Sequence, residues 1–176
     1  MSGSQVPVLQ TERLILRAHT LADFPAYAAM WADPGVTRHI GGAPLNEEEA
    51  WGKFLRAFGQ WSVMGFGFWS VSERRTGLRI GEVGFVEGRR DITPSIVGVP
   101  ELGWAFAPHA HGKGFATEAA RAALDWGEMH FGRVRMVCII SPDNAASLRV
   151  AAKLGFREAL RTVYKTKPTI MLYRDP

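Results

Sequence analysis

A strand-like run, ELGWAF (Glu101 to Phe106), is followed two residues later by HAHGKGFATEAA (His109 to Ala120). This order of buried strand, bare glycine loop and alanine-rich helix constrains the fold more than any other feature of the chain. Two glycines flank Lys113, and a run of good helix formers starts at once. Helix starts expose unpaired backbone N–H groups at the positive end of the dipole, so the ligand this unit suits is an anion.

Two familiar phosphate loops fail on spacing. In the Walker A pattern the lysine follows the second glycine and precedes Ser or Thr, but here Lys113 precedes Gly114 and Phe115 follows it. A dinucleotide fingerprint needs a third glycine where this chain has Thr117. What remains is a loop whose successive N–H groups, from about Gly112 to Ala116, can converge on a pyrophosphate. Along the helix, Ala116, Ala119, Ala120, Ala123 and Gly127 form a small-residue side that can lie tightly on a sheet. The plain alternative is a strand-to-helix turn that uses glycine for geometry alone.

A second piece adds weight. Asn144, Ser147 and Ala151 fall at i, i+3 and i+7, on one face of the helix expected over Pro142 to Phe156. Asn144 follows the end of the buried strand MVCIIS (Met136 to Ser141) and is also a natural N-cap, a role compatible with ligand contact. Two strand ends, one with a glycine loop and one with a polar helix face, suit a long ligand lying between them.

The rest of the chain reads as one mixed α/β domain behind a loose N-terminus of about nine residues. TERLILRA (Thr11 to Ala18) has strand character. Thr20 with Asp23 is a short capping box for a helix stopped at Asp33-Pro34-Gly35. Asn46 caps a second helix through about Trp61, with Glu47, Glu48 and Glu49 in its dipole-favoured first turn. GFWSVSE (Gly67 to Glu73) and RIGEVGFVE (Arg79 to Glu87) are strands joined by a turn, and a looser segment, Gly88 to Pro100, leads to Glu101. The long helix runs from Gly112 to about His130, and two short strands fill Arg157 to Arg174. Trp31, Trp51, Phe54 and Trp61, at helical spacings, read as core.

Composition excludes several classes. The 176 residues, 47% hydrophobic, suffice for one core, and no run approaches the roughly 20 apolar residues of a membrane span. The opening MSGSQVPVLQ is not a secretory signal. A lone cysteine, Cys138, excludes an internal disulfide framework and suits the cytoplasm as a buried, inert thiol. The net charge of +4 can draw in a polyanion; the basic residues are scattered and no nucleic-acid motif is present, so a nucleic-acid-binding domain stays only as the third alternative. His109 and His111 form an H-x-H pair without a third ligand, so no metal site is expected.

HGKGFATEA (His111 to Ala119) together with NAASLRVAAKLGF (Asn144 to Phe156) resembles the two signature motifs of the GNAT acyl-CoA N-acyltransferases. The opening LQTERLILR (Leu9 to Arg17) resembles the RimJ/RimL branch that acetylates ribosomal-protein N-termini. The resemblance implies a single GNAT-like domain: a twisted, mostly antiparallel sheet of six to seven strands splayed at a central pair, with about four helices. It implies that the amides of Gly112, Lys113, Gly114, Phe115 and Ala116 hold the pyrophosphate of acetyl-CoA, with His111 beside them among the cofactor-binding residues. Backbone groups of Trp104 to Phe106 would pair with the pantetheine arm, and Asn144 and Ser147 would contact the cofactor. Two departures stand out. His111 replaces the usual Gln or Arg, and Ala151 occupies the place of a Tyr general acid, for which Ser147 is the implied substitute. Glu101 is the first candidate for the base and Glu82 its competitor. The implied reaction is transfer of acetyl to a primary amine, a peptide α-amine or a small molecule such as an amino acid, polyamine or antibiotic. A silent CoA-binding module is the non-enzymatic alternative, and a homodimer is compatible with the resemblance.

Overall fold

The computed structural model describes residues 6–176; the first five residues of the expected loose N-terminus lie outside the described residues. Packing reaches back to Pro7, whose carbonyl accepts from the indole N–H of the buried Trp69 at 2.8 Å.

The described residues form an eight-stranded sheet, one strand more than the expected range. The addition comes from the run read as one strand. Leu9–Gln10 is β1, Leu14–Arg17 is β2, and the two pair antiparallel with Leu9 opposite Leu16. Thr11 makes the reversal: its hydroxyl accepts from the Leu14 N–H at 3.0 Å, and its own N–H donates to the Leu14 carbonyl at 3.0 Å. β3 (Phe68–Glu73), β4 (Arg79–Val86) and β5 (Glu101–Phe106) continue the antiparallel order, with β6 (Met136–Ile140) next to β5. β7 (Arg157–Tyr164) and β8 (Lys167–Arg174) are a long hairpin with β8 beside β6. Lys165 and Thr166 both take positive φ, 48° and 65°, as a two-residue primed turn requires.

Helix α1 (Phe24–Trp31) follows a 3-10 turn closed by the Thr20/Asp23 capping box. Asp33-Pro34-Gly35 ends α1 but also starts a further helix, α2 (Pro34–Thr37): the Asp33 carboxylate accepts from the Gly35 N–H at 2.7 Å, and Pro34 needs no partner at the first helical position. α3 (Glu47–Met64) carries the full capping box, Asn46 with Glu49. α4 (Phe115–Phe131) and α5 (Ala145–Lys153) complete the five α-helices of the described residues.

The helices cover both faces. Ala119, Ala120, Ala123 and Gly127 of α4 are buried against β4, in one core with Val83, Phe85 and Leu102. On the opposite face Tyr27, Trp31 and Phe54 cluster with Ala105 of β5. Trp31, Phe54 and Trp61 are core as expected, whereas Trp51 is 39% exposed. Among the described residues no helix is long and apolar enough to cross a membrane.

Candidate functional site

The sheet opens between β5 and β6, the one parallel pair among the described strands. Their ladder has a single register pair, Glu101 with Val137, where the Val137 N–H donates to the Pro100 carbonyl at 3.0 Å. Strand alternation therefore turns the backbone of Leu102, Trp104 and Phe106 toward β6 as well. Residues of the other parity face β4: Ala107 N–H donates to the Ile80 carbonyl at 2.9 Å. Beyond Glu101 the two strands part, and β6 stays bonded to β8 through all five of its residues. The result is a wedge edged by the main chain of Trp104 and Phe106. One group there is engaged: the His111 ring donates through Nε2 to the Phe106 carbonyl at 2.8 Å, which fixes the tautomer because a carbonyl only accepts.

The glycine loop lies at the end of this wedge. Gly112 (φ 73°) and Gly114 (φ 80°) are both left-handed, a conformation open to glycine at little cost. Gly114 is the N-cap of α4, and the first helical bond runs from the Glu118 N–H to the Gly114 carbonyl at 3.1 Å. Among the described residues no backbone carbonyl accepts from the N–H groups of 112–117. Gly112, Lys113 and Gly114 are exposed, and a Cβ added at Gly112 would meet nothing within 4 Å. Phe115 contributes only its amide to this side, since its ring is buried beneath the Arg13 guanidinium at 4.7 Å.

Across the wedge, α5 starts at Asn144, whose side-chain oxygen accepts from the Ser147 N–H at 3.1 Å. Asn144 is therefore occupied as a cap through its oxygen. The Ser147 hydroxyl has no bonded partner among the described residues. Ala151, where a tyrosine would have reached in, is fully buried.

The two candidate carboxylates have opposite surroundings. Glu101 is gripped by Arg90 through Nε at 2.5 Å and Nη2 at 2.7 Å, and Arg90 also donates to the Tyr164 hydroxyl at 3.1 Å. Glu82 is buried with no close donor: Arg79 Nη2 lies at 3.7 Å and His19 Nε2 at 3.9 Å. Burial raises its carboxyl above the ordinary range, against the opposing pull of Lys53 and Arg79. His19 is pushed down to about 3, first by burial and then by the Arg79 charge, so its ring is neutral. Both His19 nitrogens and two Arg79 nitrogens lack hydrogen-bond partners among the described residues, so the buried polar groups nearest Glu82 are not satisfied by protein. Glu82 stands opposite Ala105 and Glu101 opposite Val86. Four residues of β4 thus separate the two carboxylates along the strand, roughly 13 Å, so one amine cannot touch both.

Several participants had no sequence signal. Arg13 and Arg79 lie in strand-like runs, His19 falls between the first strand run and the Thr20 cap, and Arg90 belongs to GRR, which reads as a turn. No group of three potential ligands that could hold a metal occurs among the described residues, and His111 is committed to Phe106. Cys138 is buried, which raises its thiol pKa well above the usual value.

Comparison with known proteins matches this geometry to one family. The family model for the acetyltransferase (GNAT) domain fits residues 13–157. YkkB of Bacillus subtilis (strain 168), an uncharacterized protein, is 32% identical over 170 residues, covering 94% of this chain and 93% of its own. The acetyltransferase structure from Agrobacterium tumefaciens str. C58 is 30% identical with a TM-score of 0.83, over 98% of this chain and 96% of that one. RimL, a ribosomal L7/L12 alpha-N-protein acetyltransferase solved with coenzyme A, shares the fold at a TM-score of 0.77 and 15% identity, over 96% and 98% of the two chains.

Proposed function

The chain belongs to the GNAT family of acetyl-CoA-dependent N-acetyltransferases, and we propose that it transfers acetyl to the α-amine of a peptide N-terminus. The observation that carries the cofactor half is the run of unpaired N–H groups at 112–117 beside the open edge of β5. In this reading the amides of Gly112 to Ala116 hold the pyrophosphate, and Trp104 and Phe106 pair with the pantetheine arm through their main chain. His111 shapes the wedge from the side, and Asn144 lines it at the start of α5. The peptide acceptor is supported by the likeness of LQTERLILR to the RimJ/RimL branch and by the fold shared with RimL.

The amine nitrogen attacks the thioester carbonyl carbon: a C–N bond forms and the C–S bond breaks. Holding the amine about 3 Å from that carbon is the largest contribution the protein can make. A backbone N–H of Trp104 or Phe106 stabilises the developing oxyanion. Glu82 accepts the amine proton, directly or through a water, and its raised pKa suits that task better than the Arg90-bound carboxylate of Glu101 does. Glu101 instead holds the Gly88–Pro100 segment through Arg90. Ser147, whose hydroxyl is free to relay a proton from water, delivers that proton to the departing thiolate sulfur, which leaves as the free thiol of CoA.

The test is release of free CoA thiol from acetyl-CoA over a panel of amines: short peptides of varied first residue, free amino acids, polyamines and aminoglycosides. Peptides acetylated at the α-amine with kcat/KM well above the small molecules support the assignment. Turnover confined to small amines replaces the acceptor, and saturable acetyl-CoA binding with no turnover on any amine makes the chain a CoA-binding module.

A further inference from the structure

We propose that Arg13 is a positioning residue that sets the phosphate-facing geometry of the 112–117 loop, so that preference for a phosphate-bearing thioester over a bare pantetheine thioester depends on it. The proposal rests on the loop being the pyrophosphate cradle described above.

The β1–β2 reversal at Thr11 carries Arg13 to the start of α4, a hundred residues away in sequence. There its guanidinium Nη1 donates to the Lys113 carbonyl at 2.9 Å. In a trans peptide the carbonyl and the following N–H point in opposite directions. Tying the Lys113 carbonyl to β2 therefore aims the Gly114 N–H outward. The two glycines report the two sides of the loop. An added Cβ at Gly114 would meet Arg13 Nη2 at 3.4 Å, whereas one at Gly112 would meet open space.

Arg13 is itself held in place. Its Nε donates to Glu118 Oε2 at 2.7 Å, its Nη2 lies 2.6 Å from the same oxygen, and its backbone N–H donates to Oε1 at 2.9 Å. The Thr11 hydroxyl donates to Oε1 at 2.5 Å, and the Phe115 ring supports the guanidinium from below. Burial acts to raise the Glu118 carboxyl, but the bonds from Thr11 and Arg13 outweigh it and hold it below its ordinary range. A carboxylate in the first turn of α4 would otherwise compete with a bound phosphate for the helix dipole. With both oxygens occupied, Glu118 orients Arg13 and its charge is locally neutralised. As an exposed ion pair the contact contributes little stability; its consequence is the direction of one amide.

A strut that merely joined the hairpin to the helix would affect every ligand of the wedge alike. Wild type, Arg13→Gln and Arg13→Lys are therefore titrated calorimetrically with acetyl-CoA and, separately, with S-acetylpantetheine, which carries the thioester and arm but no phosphate. Arg13→Gln is expected to weaken acetyl-CoA binding about tenfold, the scale of one charge-assisted hydrogen bond. S-acetylpantetheine should stay within about twofold of wild type, and Arg13→Lys should recover part of the loss by keeping a donor near the Lys113 carbonyl. Equal weakening of both thioesters, or unchanged acetyl-CoA affinity, overturns the proposal. Wild type that binds the two thioesters equally overturns it while leaving acyl transfer intact, and wild type that binds neither overturns both readings.

Discussion

Arg90 closes both nitrogens of its guanidinium fork on the Glu101 carboxylate, at 2.5 and 2.7 Å. That pairing ties the Gly88–Pro100 segment to the start of the strand that edges the wedge, and it leaves Glu82 as the carboxylate without a close partner.

Glu82→Gln should lower kcat by about 10²- to 10³-fold with little change in the KM for acetyl-CoA, the range expected for loss of general-base help. Wild-type kcat should rise with pH through a value above the ordinary carboxylate range, because the base form is needed and burial raises the pKa. The variant should lose that acidic limb. Glu101→Gln should keep the limb and instead lower the melting temperature, since it strands Arg90. A pH–rate profile on each variant separates the two, and an unchanged limb in Glu82→Gln removes that residue from the chemistry.

Ser147→Ala should reduce kcat several-fold if its hydroxyl carries a proton to sulfur. If only the KM for acetyl-CoA rises, Ser147 is a cofactor contact. Steady-state kinetics with acetyl-CoA varied at saturating amine reads the difference.

His19 links pH to folding. Its folded pKa, about 3, lies below its ordinary 6.5, so its contribution is complete above about pH 6.5 and is lost as pH falls toward 3. Asp23, also held below its ordinary range, adds its own acid-side loss in both proteins compared. The stability difference between wild type and His19→Gln, from denaturant unfolding at a series of pH values, should therefore shift against wild type on acidification from 6.5. A pH-independent difference contradicts the burial of a neutral ring.

Gly127 shows why α4 needs its small side. A Cβ there would stand 2.5 Å from the Phe85 ring, so Gly127→Ala should destabilise by about 1–3 kcal/mol despite its better helix propensity. Thermal unfolding measures it, and a raised melting temperature would mean that the helix can lift off the sheet without cost.

The strand at Glu101–Phe106 and the caps at Asn46 and Asn144 were legible because each rests on local chemistry: alternation, a polar cap, a left-handed glycine. The glycine loop and the α5 start are legible for the same reason. The turn at Thr11–Arg13 was not, because Thr-Glu-Arg carries no Gly, Pro or Asn, and the reversal depends on a threonine hydroxyl bonding its own neighbourhood. Asp33-Pro34-Gly35 marks a stop and a start with the same residues. The partners of Glu82 and Glu101 were hidden for a different reason. Arg79, His19 and Arg90 meet the carboxylates through sheet register and through a loop folded back on β5, and neither relationship is written in spacing along the chain.

The most direct test of the account is calorimetric titration of acetyl-CoA into the wild-type protein and into a Gly112→Asp/Gly114→Asp variant. The substitutions put side chains at left-handed φ and carboxylates into the anion-facing loop. Saturable binding to wild type is expected, with its loss in a variant that remains folded by circular dichroism. A folded variant that binds acetyl-CoA as tightly as wild type, or a wild type that does not bind it, would contradict the assignment of residues 112–117 as the phosphate cradle.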